Sequence, residues 1–178
     1  VDPFAIMGSF AADHDISDPD AFVATVNTAI QAARGGDLVT IGLTPTRPET
    51  GYGYIERTDE VVLRSDDRTA YRAARFIEKP DLERATAFVE SGRFLWNAGM
   101  FVWQVRALTA ELKRLQPEIA DGVREIARAW ESRDQERVTA RIWSKLPEIT
   151  IDHGVMEHAG CVAVVPAEIG WSDVGDWS

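Results

Sequence analysis

The sequence predicts an α/β fold that contains an antiparallel portion and a helical insertion. Residues 4–10 and 38–41 are short apolar runs of strand length, and the segment between them has helical periodicity. Segments that alternate between apolar and polar residues follow between residues 54 and 77, and further helical stretches lie between residues 105 and 142. Because the chain opens in the order strand, helix, strand, we expect a parallel βαβ unit at its start.

The first helix carries both a start signal and a stop signal. Ser17 and Asp18 are capping residue types, and Pro19 suits the first helical turn. Gly35 and Gly36 end the periodic segment, as glycines do beyond a helix C-terminus. The apolar stripe that would face the sheet consists of Phe22, Val26, Ala29, Ile30 and Ala33.

The remaining elements are predicted from the same two patterns, helical periodicity and the alternation of apolar and polar residues in strands. Strands are predicted at residues 54–57, 61–64 and 71–77, with a turn at Asp66 and Asp67 between the last two. A helix that begins at Pro80 and ends at Gly92 follows, and then a strand at residues 100–103. The last predicted elements are helices from Val105, from Pro117 and around Val138, and a strand at residues 161–165.

Composition and charge exclude several classes of protein. The chain has 178 residues, with 19 Lys and Arg against 29 Asp and Glu, which gives a net charge of −10. An acidic surface repels phosphate backbones, so we do not expect nucleic-acid binding. No apolar run approaches the ~20 residues that a membrane helix needs. The single cysteine, Cys161, rules out an internal disulfide and favours a reducing, cytoplasmic location.

Neither end of the sequence resembles a natural terminus. Val1 leads directly into an apolar stretch, and the last residues stop inside what reads as the start of another element. We therefore expect the sequence to be part of a longer chain.

Polar residues near strand ends are the first candidates for a functional site, because ligands of open α/β sheets bind beyond the carboxyl ends of the strands. Asp13 follows the first strand and Asp173 follows the last, and either carboxylate could hold a divalent metal or cap a helix. Lys79 stands beside Glu78 at the end of another strand, where it could bind a phosphate or form a surface ion pair.

Two glycine-containing segments are candidates for ligand contact. Gly51 and Gly53 flank Tyr52 and would let the backbone approach a ligand closely, although a plain turn would use the same residues. Asn97 offers a donor and an acceptor, as a sugar hydroxyl requires, and Gly99 leaves room for a ring. A tight turn before a strand would explain residues 97–99 equally well.

Taken together and in order, six segments resemble the mannose-1-phosphate guanylyltransferases, also called GDP-mannose pyrophosphorylases. The segments are residues 8–14 (GSFAADH), 45–55 (PTRPETGYGYI), 76–81 (FIEKPD), 95–101 (LWNAGMF), 150–157 (TIDHGVME) and 170–175 (GWSDVG). They span the chain from end to end, and residues 45–55 are the most specific for the guanylyl and mannose branch.

The resemblance implies a fold and a reaction. The implied fold is a Rossmann-like nucleotidyltransferase three-layer sandwich with a mixed sheet and a helical insertion, incomplete at the N-terminus. The implied reaction joins GTP and α-D-mannose 1-phosphate to give GDP-mannose and pyrophosphate, with Mg²⁺. This chemistry requires in-line positioning and charge neutralisation rather than a covalent enzyme intermediate.

The resemblance also implies roles for individual residues. Asp13 and Asp173 would bind Mg²⁺ and would form the catalytic set together with Lys79, which would pair with the phosphate of mannose 1-phosphate. Glu78 and Asn97 would bind sugar hydroxyls, and the backbone at residues 51–53 would close over the ring. The full set of implied substrate-binding residues is Gly51, Tyr52, Gly53, Glu78, Asn97 and Gly99.

The sequence departs from the family in one large respect. The glycine-rich, arginine-containing loop that binds the triphosphate in the family is missing. We therefore interpret residues 1–178 as the central and C-terminal part of a single catalytic domain, which alone should not catalyse the reaction. Exposed sheet edges should make such a fragment prone to aggregation, and a homodimer could cover one of them.

Two alternative functions stay open from the sequence. The first is a guanylyl-, uridylyl- or thymidylyltransferase that acts on another sugar 1-phosphate. The second is a non-catalytic, regulatory relative that binds GDP-mannose. The presence of Asp13, Lys79 and Asp173 favours an enzyme, because a pure binding protein does not need both metal carboxylates.

Overall fold

The computed structural model describes residues 2–65 and 68–173, and the chain divides into two compact units. Unit 1 comprises Val1–Val105 and Gly160–Ser178, and unit 2 comprises Arg106–Ala159. The strands of unit 1 are β1 (Ile6–Ser9), β2 (His14–Ile16), β3 (Leu38–Leu43), β4 (Gly53–Arg64), β5 (Thr69–Ile77), β6 (Phe94–Gln104), β7 (Val162–Ala167) and β8 (Trp171–Asp173), and its helices are α1 (Pro19–Arg34) and α2 (Leu82–Ser91).

Six of the strands form a mixed sheet in the order β1-β6-β3-β7-β5-β4. β3 and β7 are parallel, and the other neighbouring strands are antiparallel. Residues 53–56 of β4 also pair with β6, and β2 and β8 form a separate antiparallel ribbon. The predicted α/β class with a mixed sheet is confirmed.

The opening strand–helix–strand segment differs from a simple βαβ unit. β1 and β3 both run antiparallel to β6, so they are parallel to each other as predicted, but β6 lies between them. The sequence did not indicate the position of β6 between β1 and β3, because β6 is far from both strands along the chain.

Local signals place α1 where the sequence predicts it. The Asp18 side chain accepts a hydrogen bond of 2.9 Å from the backbone N–H of Ala21, and Gly35 ends the helix. Small buried residues on the helix, Ala29, Ala32 and Ala33, let it approach the sheet closely. There they pack against Val39, Val102 and Val165.

α2 starts two residues later than predicted. Asp81 rather than Pro80 marks the start, because its side chain accepts a hydrogen bond of 2.8 Å from the N–H of Arg84. Gly92, at φ 64°, ends the helix as predicted. Phe88 of α2 stacks on Phe94 of β6 with ring centroids 4.0 Å apart, which fixes the helix against the sheet.

Two predictions for the strands were wrong. Residues 54–57 and 61–64 belong to one long strand, β4, whose pairing with β5 shifts in register. The strand predicted at residues 100–103 is longer, because β6 begins at Phe94. Residues 97–99, for which a turn before the strand was the alternative, are part of β6, where the shift in its pairing with β3 and the φ of 64° at Gly99 mark a bulge. The turn predicted at Asp66 and Asp67 lies outside the described residues.

The predicted helical insertion is unit 2. It contains α3 (Val105–Leu115, which begins at the last residue of unit 1), α4 (Pro117–Ala129), α5 (Gln135–Trp143) and an unpredicted π-helical turn (Asp152–Met156). Gly122 lets α4 approach the following segment, because a Cβ there would lie 2.6 Å from a methyl group of Leu146. Within residues 2–65 and 68–173, no helix combines the length and the apolar character that a bilayer crossing requires.

Candidate functional site

A cavity of about 450 Å³ lies at the carboxyl ends of the two parallel strands, β3 and β7. These strands end at Leu43 and Ala167, which are opposite each other in the register, and both residues line the cavity. This is the position where the sheet topology predicts a ligand site. The other lining residues are Thr44, Thr46, Arg47, Tyr52, Trp96, Glu168, Ile169, Gly170, Trp171, Ser172 and Asp173.

Three aromatic rings form a cluster beside the cavity. Tyr52 meets Trp96 and Trp171 edge to face, with ring centroids 5.3 and 5.6 Å apart. Trp96 is only 6% exposed and belongs to the main core of unit 1. Because edge-to-face pairs have a preferred geometry, the cluster fixes the plane of the Tyr52 ring.

The Tyr52 hydroxyl is directed to a carboxylate. Its Oη donates a hydrogen bond of 2.6 Å to Oδ1 of Asp173. Burial of the phenol raises the pKa of Tyr52 to about 12, and the hydrogen bond to Asp173 and its negative charge add to this effect. The phenol of Tyr52 is therefore neutral at any physiological pH, and its hydroxyl donates to Asp173.

The β2–β8 ribbon brings together the two chain segments that carry the predicted metal carboxylates. His14 of β2 is opposite Asp173 of β8, and Asp13 occupies the exposed turn immediately before His14. Asp13 lies between β1 and β2, and Asp173 is the last residue of β8, so the ribbon rather than the main sheet places both acidic residues. The alternative in which Asp173 caps a following helix concerns residues 174–178, which lie outside the described residues.

A glycine makes the ribbon possible. Gly170, at φ 60°, precedes β8, and a Cβ there would lie 1.8 Å from Oγ of Ser17. The Ser17 N–H donates to the Gly170 carbonyl at 3.2 Å, and the Asp18 N–H donates to the Ile169 carbonyl at 3.1 Å. These bonds tie the end of β7 to the start of α1 and so hold the ribbon beside the cavity.

The donor set at the ribbon fits a hard divalent cation. Asp13 and Asp173 provide carboxylate oxygens, the ligands that Mg²⁺ prefers. Among residues 2–65 and 68–173, no group of three or more His, Cys, Asp or Glu side chains is arranged to hold a metal ion. Two carboxylates suit Mg²⁺ whose other ligands are water and substrate phosphates, which is how Mg²⁺ usually binds.

A second group of predicted residues converges around Gly53. Gly53 is opposite Asn97 in the pairing of β4 with β6. A Cβ on Gly53 would lie 2.8 Å from Oε2 of Glu78 and 3.5 Å from Cβ of Asn97, so these residues are neighbours. The Gly99 N–H donates to Oδ1 of Asn97 at 3.1 Å, which orients the Asn97 amide. We call Gly53, Glu78, Asn97 and Gly99 the amide–carboxylate group.

Lys79 has a strained backbone at the end of β5. Its φ of 39° lies in the left-handed region, which a residue other than glycine rarely adopts. Its Nζ is 3.8 Å from Oε1 of Glu78, and its side chain is 65% exposed. The ion pair expected as the alternative role of Lys79 is therefore present, although it is long and exposed and so contributes little stability.

Sequence reasoning missed Arg47 and Glu49 in the loop between β3 and β4. Glu49 Oε2 accepts a hydrogen bond of 3.2 Å from Nε of Arg47, and its Oε1 accepts one of 3.1 Å from the N–H of Gly51. The Gly51 N–H is the main cause of a lowered Glu49 pKa. Arg47 also lies over the Trp96 ring, 5.6 Å from its centroid. Both residues lie within the family-like segment at residues 45–55, and that was the available signal.

Trp96 and Trp171 were also missed as site residues. Each lies in a family-like segment, at residues 95–101 and 170–175, within two positions of a residue that was singled out. A tryptophan in a strand is more often a core residue, and only the cavity shows that these two also line a site.

Comparison with known proteins gives relatives that match nearly the whole chain. The mannose-1-phosphate guanylyltransferase of Escherichia coli strain K12 is 43% identical over 99% of this chain and 37% of its own length. The mannose-1-phosphate guanylyltransferase ManC of Salmonella typhimurium strain LT2 is 42% identical over 99% of this chain and 36% of its own length. The chain thus spans little more than a third of the length of these curated relatives. The resemblance predicted from the six segments is confirmed.

Solved structures give the same picture of the fold. A crystal structure from Thermus thermophilus, described as a mannose-1-phosphate geranyltransferase, superposes with a TM-score of 0.81 at 32% identity, over 97% of this chain and 47% of that one. A Helicobacter pylori structure, described as a mannose-6-phosphate isomerase, superposes with a TM-score of 0.78 at 29% identity, over 97% of this chain and 66% of that one. The family model for nucleotidyl transferases matches residues 2–178. The chain therefore belongs to the nucleotidyl transferase family.

Proposed function

We propose that this chain forms the metal- and sugar-phosphate-binding part of an enzyme that makes GDP-mannose and pyrophosphate from GTP and α-D-mannose 1-phosphate. One observation carries the proposal. Asp173 lies at the cavity beyond β3 and β7, and its hydrogen-bond donor, Tyr52, directly precedes Gly53 of the amide–carboxylate group. Tyr52, which is hydrogen-bonded to the candidate metal ligand Asp173, is thus adjacent in sequence to Gly53 of the candidate sugar site. The names of the relatives support the choice of substrates.

The reaction transfers a nucleotidyl group. An oxygen of the sugar phosphate attacks the α-phosphorus of GTP, the P–O bond to the β-phosphate breaks, and pyrophosphate leaves. Asp13 and Asp173 would hold Mg²⁺, which when bound supplies positive charge to the phosphate oxygens. Without a covalent intermediate, the remaining work of the protein is to position the reactants.

Each proposed residue has a physical task. Lys79, on its exposed turn, brings positive charge to the phosphate of mannose 1-phosphate. Glu78 accepts hydrogen bonds from sugar hydroxyls, and the Asn97 amide contributes to the same contacts. The absence of a side chain on Gly53 leaves the space between them open. The backbone of residues 51–53 closes over the sugar ring.

We also propose that both compact units belong to one catalytic domain, which the continuous match of the family model over residues 2–178 supports. Residues 1–178 would be its central and C-terminal part. A cytoplasmic location and a homodimer stay predictions from the sequence.

The test is release of pyrophosphate from GTP and mannose 1-phosphate in the presence of Mg²⁺. It should be run on the complete polypeptide that the gene encodes and on residues 1–178 alone. We expect turnover by the complete polypeptide, a loss of roughly 100-fold or more in Asp173→Asn, and none by residues 1–178 alone. Faster turnover with another sugar 1-phosphate or another nucleotide would assign the enzyme to that substrate. Tight binding of GDP-mannose without turnover by the complete polypeptide would indicate the regulatory alternative.

A further inference from the structure

We infer that Tyr52 is a positioning residue that holds the carboxylate of Asp173 in place for a divalent cation. The inference rests on the proposed function, since it takes Asp173 as a metal ligand. It differs from the sequence-based interpretation, in which Tyr52 belongs to the substrate-binding set.

The hydrogen bond itself is the first argument. At 2.6 Å, the distance from Tyr52 Oη to Asp173 Oδ1 is in the range of bonds from a hydroxyl to an ionised carboxylate. Such charge-assisted bonds are roughly twice as strong as neutral ones. Because the bond engages Oδ1, it would leave Oδ2 of Asp173 accessible to a cation.

The packing of the ring is the second argument. Tyr52 is held edge to face by Trp96 and by Trp171, and Trp96 is anchored in the core of unit 1. Trp171 lies on the same strand, β8, as Asp173. The hydroxyl is thus oriented from two sides before any ligand binds. Partners that orient a metal ligand in this way are worth roughly 10- to 100-fold in metal affinity in other proteins, so we expect about 10-fold here.

The backbone is the third argument. Tyr52 follows Gly51, whose N–H is bonded to Glu49, and precedes Gly53, which pairs with Asn97. The main chain is therefore held on both sides of Tyr52, and the hydroxyl has little freedom to leave Asp173. A sugar hydroxyl that bound to Tyr52 Oη would have to compete with this carboxylate.

The experiment measures Mn²⁺ binding by electron paramagnetic resonance, which requires no turnover. The variants are Tyr52→Phe, which removes the hydroxyl but keeps the ring, and Asp173→Asn. Tyr71→Phe is the matched control, because Tyr71 does not line the cavity. Its ring packs against Arg57, whose Cζ is 4.7 Å from the ring centroid. We expect a Kd for Mn²⁺ about 10-fold higher in Tyr52→Phe, a larger loss in Asp173→Asn, and no change in Tyr71→Phe.

The outcomes separate the two proposals. If Tyr52→Phe binds Mn²⁺ as the wild type does while Asp173→Asn loses it, the inference is wrong and the metal site stands. If the wild type binds no Mn²⁺, or binds it equally well with Asp173→Asn, the metal site and the role of Tyr52 are both wrong. The tryptophan bands of the near-ultraviolet circular dichroism spectrum respond to the packing of Trp96 and Trp171, and loss of these bands in Tyr52→Phe would show a structural cause instead.

A second measurement does not depend on the folding of Tyr52→Phe. Residues 1–178 contain three tyrosines, so 3-fluorotyrosine gives few fluorine resonances from this part of the protein. Adding Mg²⁺ should shift the Tyr52 resonance and leave that of Tyr71 unchanged. The same addition should have no effect on the Tyr52 resonance in Asp173→Asn. A Tyr52 resonance that does not respond to Mg²⁺ in the wild type would overturn the inference.

Discussion

The two halves of the candidate site are held in place by different means. In the cavity half, Tyr52 and Asp173 are fixed by aromatic packing against the buried Trp96 and by a short hydrogen bond. In the half at the end of β5, Lys79 is exposed, and its backbone adopts a left-handed conformation two residues after the strand. Packing stabilises the protein while it orients a group, whereas backbone strain orients a group at the expense of stability. Substitutions in the two halves should therefore affect stability in opposite directions.

The largest effect should come from the cavity half. Replacing Trp96, which is 6% exposed, by alanine should lower the free energy of unfolding by about 3–5 kcal/mol, because it removes a core side chain and leaves a cavity. The measurement is chemical denaturation followed by circular dichroism. Trp143→Ala is the matched control, since Trp143 is 68% exposed and its loss should change stability little. Equal losses in the two variants would contradict the comparison.

Gly53→Ala should separate binding from stability. The new Cβ would lie 2.8 Å from the end of the flexible Glu78 side chain, which can move away at little cost to the fold. If Glu78 binds the sugar as proposed, displacing its carboxylate removes a hydrogen bond to the sugar, and the affinity for mannose 1-phosphate should fall about 10-fold. Calorimetric titration of the complete polypeptide measures this affinity.

The control for Gly53→Ala is Gly160→Ala, where a Cβ meets nothing within 4 Å. It should leave both the affinity and the melting temperature unchanged. Unaltered mannose 1-phosphate binding in Gly53→Ala would show that Glu78 does not contact the sugar.

The half at the end of β5 should become more stable when its strain is removed. Lys79→Gly and Lys79→Ala both remove the charge, but only glycine adopts the positive φ without strain. The left-handed conformation costs a side-chain-bearing residue about 1–2 kcal/mol, and the entropy of the glycine in the unfolded chain offsets part of this. We expect Lys79→Gly to exceed Lys79→Ala in stability by up to about 1 kcal/mol in denaturation experiments, with mannose 1-phosphate binding weakened in both. A less stable Lys79→Gly would show that the backbone is not strained.

The smallest effect concerns the loop that carries Tyr52. The hydrogen bond from the Gly51 N–H lowers the pKa of Glu49, so the ionised carboxylate is the form that holds the loop. This contribution is present above the usual Glu value of 4.5 and is lost as the pH falls through the lowered pKa. The amide chemical shift of Gly51 should therefore titrate with a midpoint below 4.5. The titration should disappear in Glu49→Gln, and a midpoint above 4.5 would contradict the hydrogen bond.

Local signals in the sequence were sufficient for elements whose stabilising contacts are near in the chain. α1 has its capping aspartate, its proline and its terminal glycine within the helix or beside it, and the structure agrees with all three. β6 was only partly predicted, because its bulge at Gly99 and its place between β1 and β3 depend on strands far along the chain. The ribbon of β2 and β8 was not predicted, since each of its strands has only three residues.

The candidate site shows the same division. The residue types, Asp13, Lys79, Asn97 and Asp173 among them, could be selected from the sequence because they stand in family-like segments near strand ends. The side chains that contact these residues could not be selected from the sequence. The contact between Tyr52 and Asp173 joins residues 121 positions apart, and no periodicity or spacing encodes such a pair.

The sequence by itself determined the α/β class, the capped helix α1, the resemblance of six segments to the family and the identity of the candidate polar residues. Each of these depends on neighbours within a few positions or on motifs that can be read in order. Only the tertiary structure decided that β6 separates β1 from β3, that Asp13 lies beside the ribbon that contains Asp173, and that Tyr52 contacts Asp173. The physical reason is that strand pairing and side-chain packing bring together residues whose separation along the chain carries no information about their distance in space.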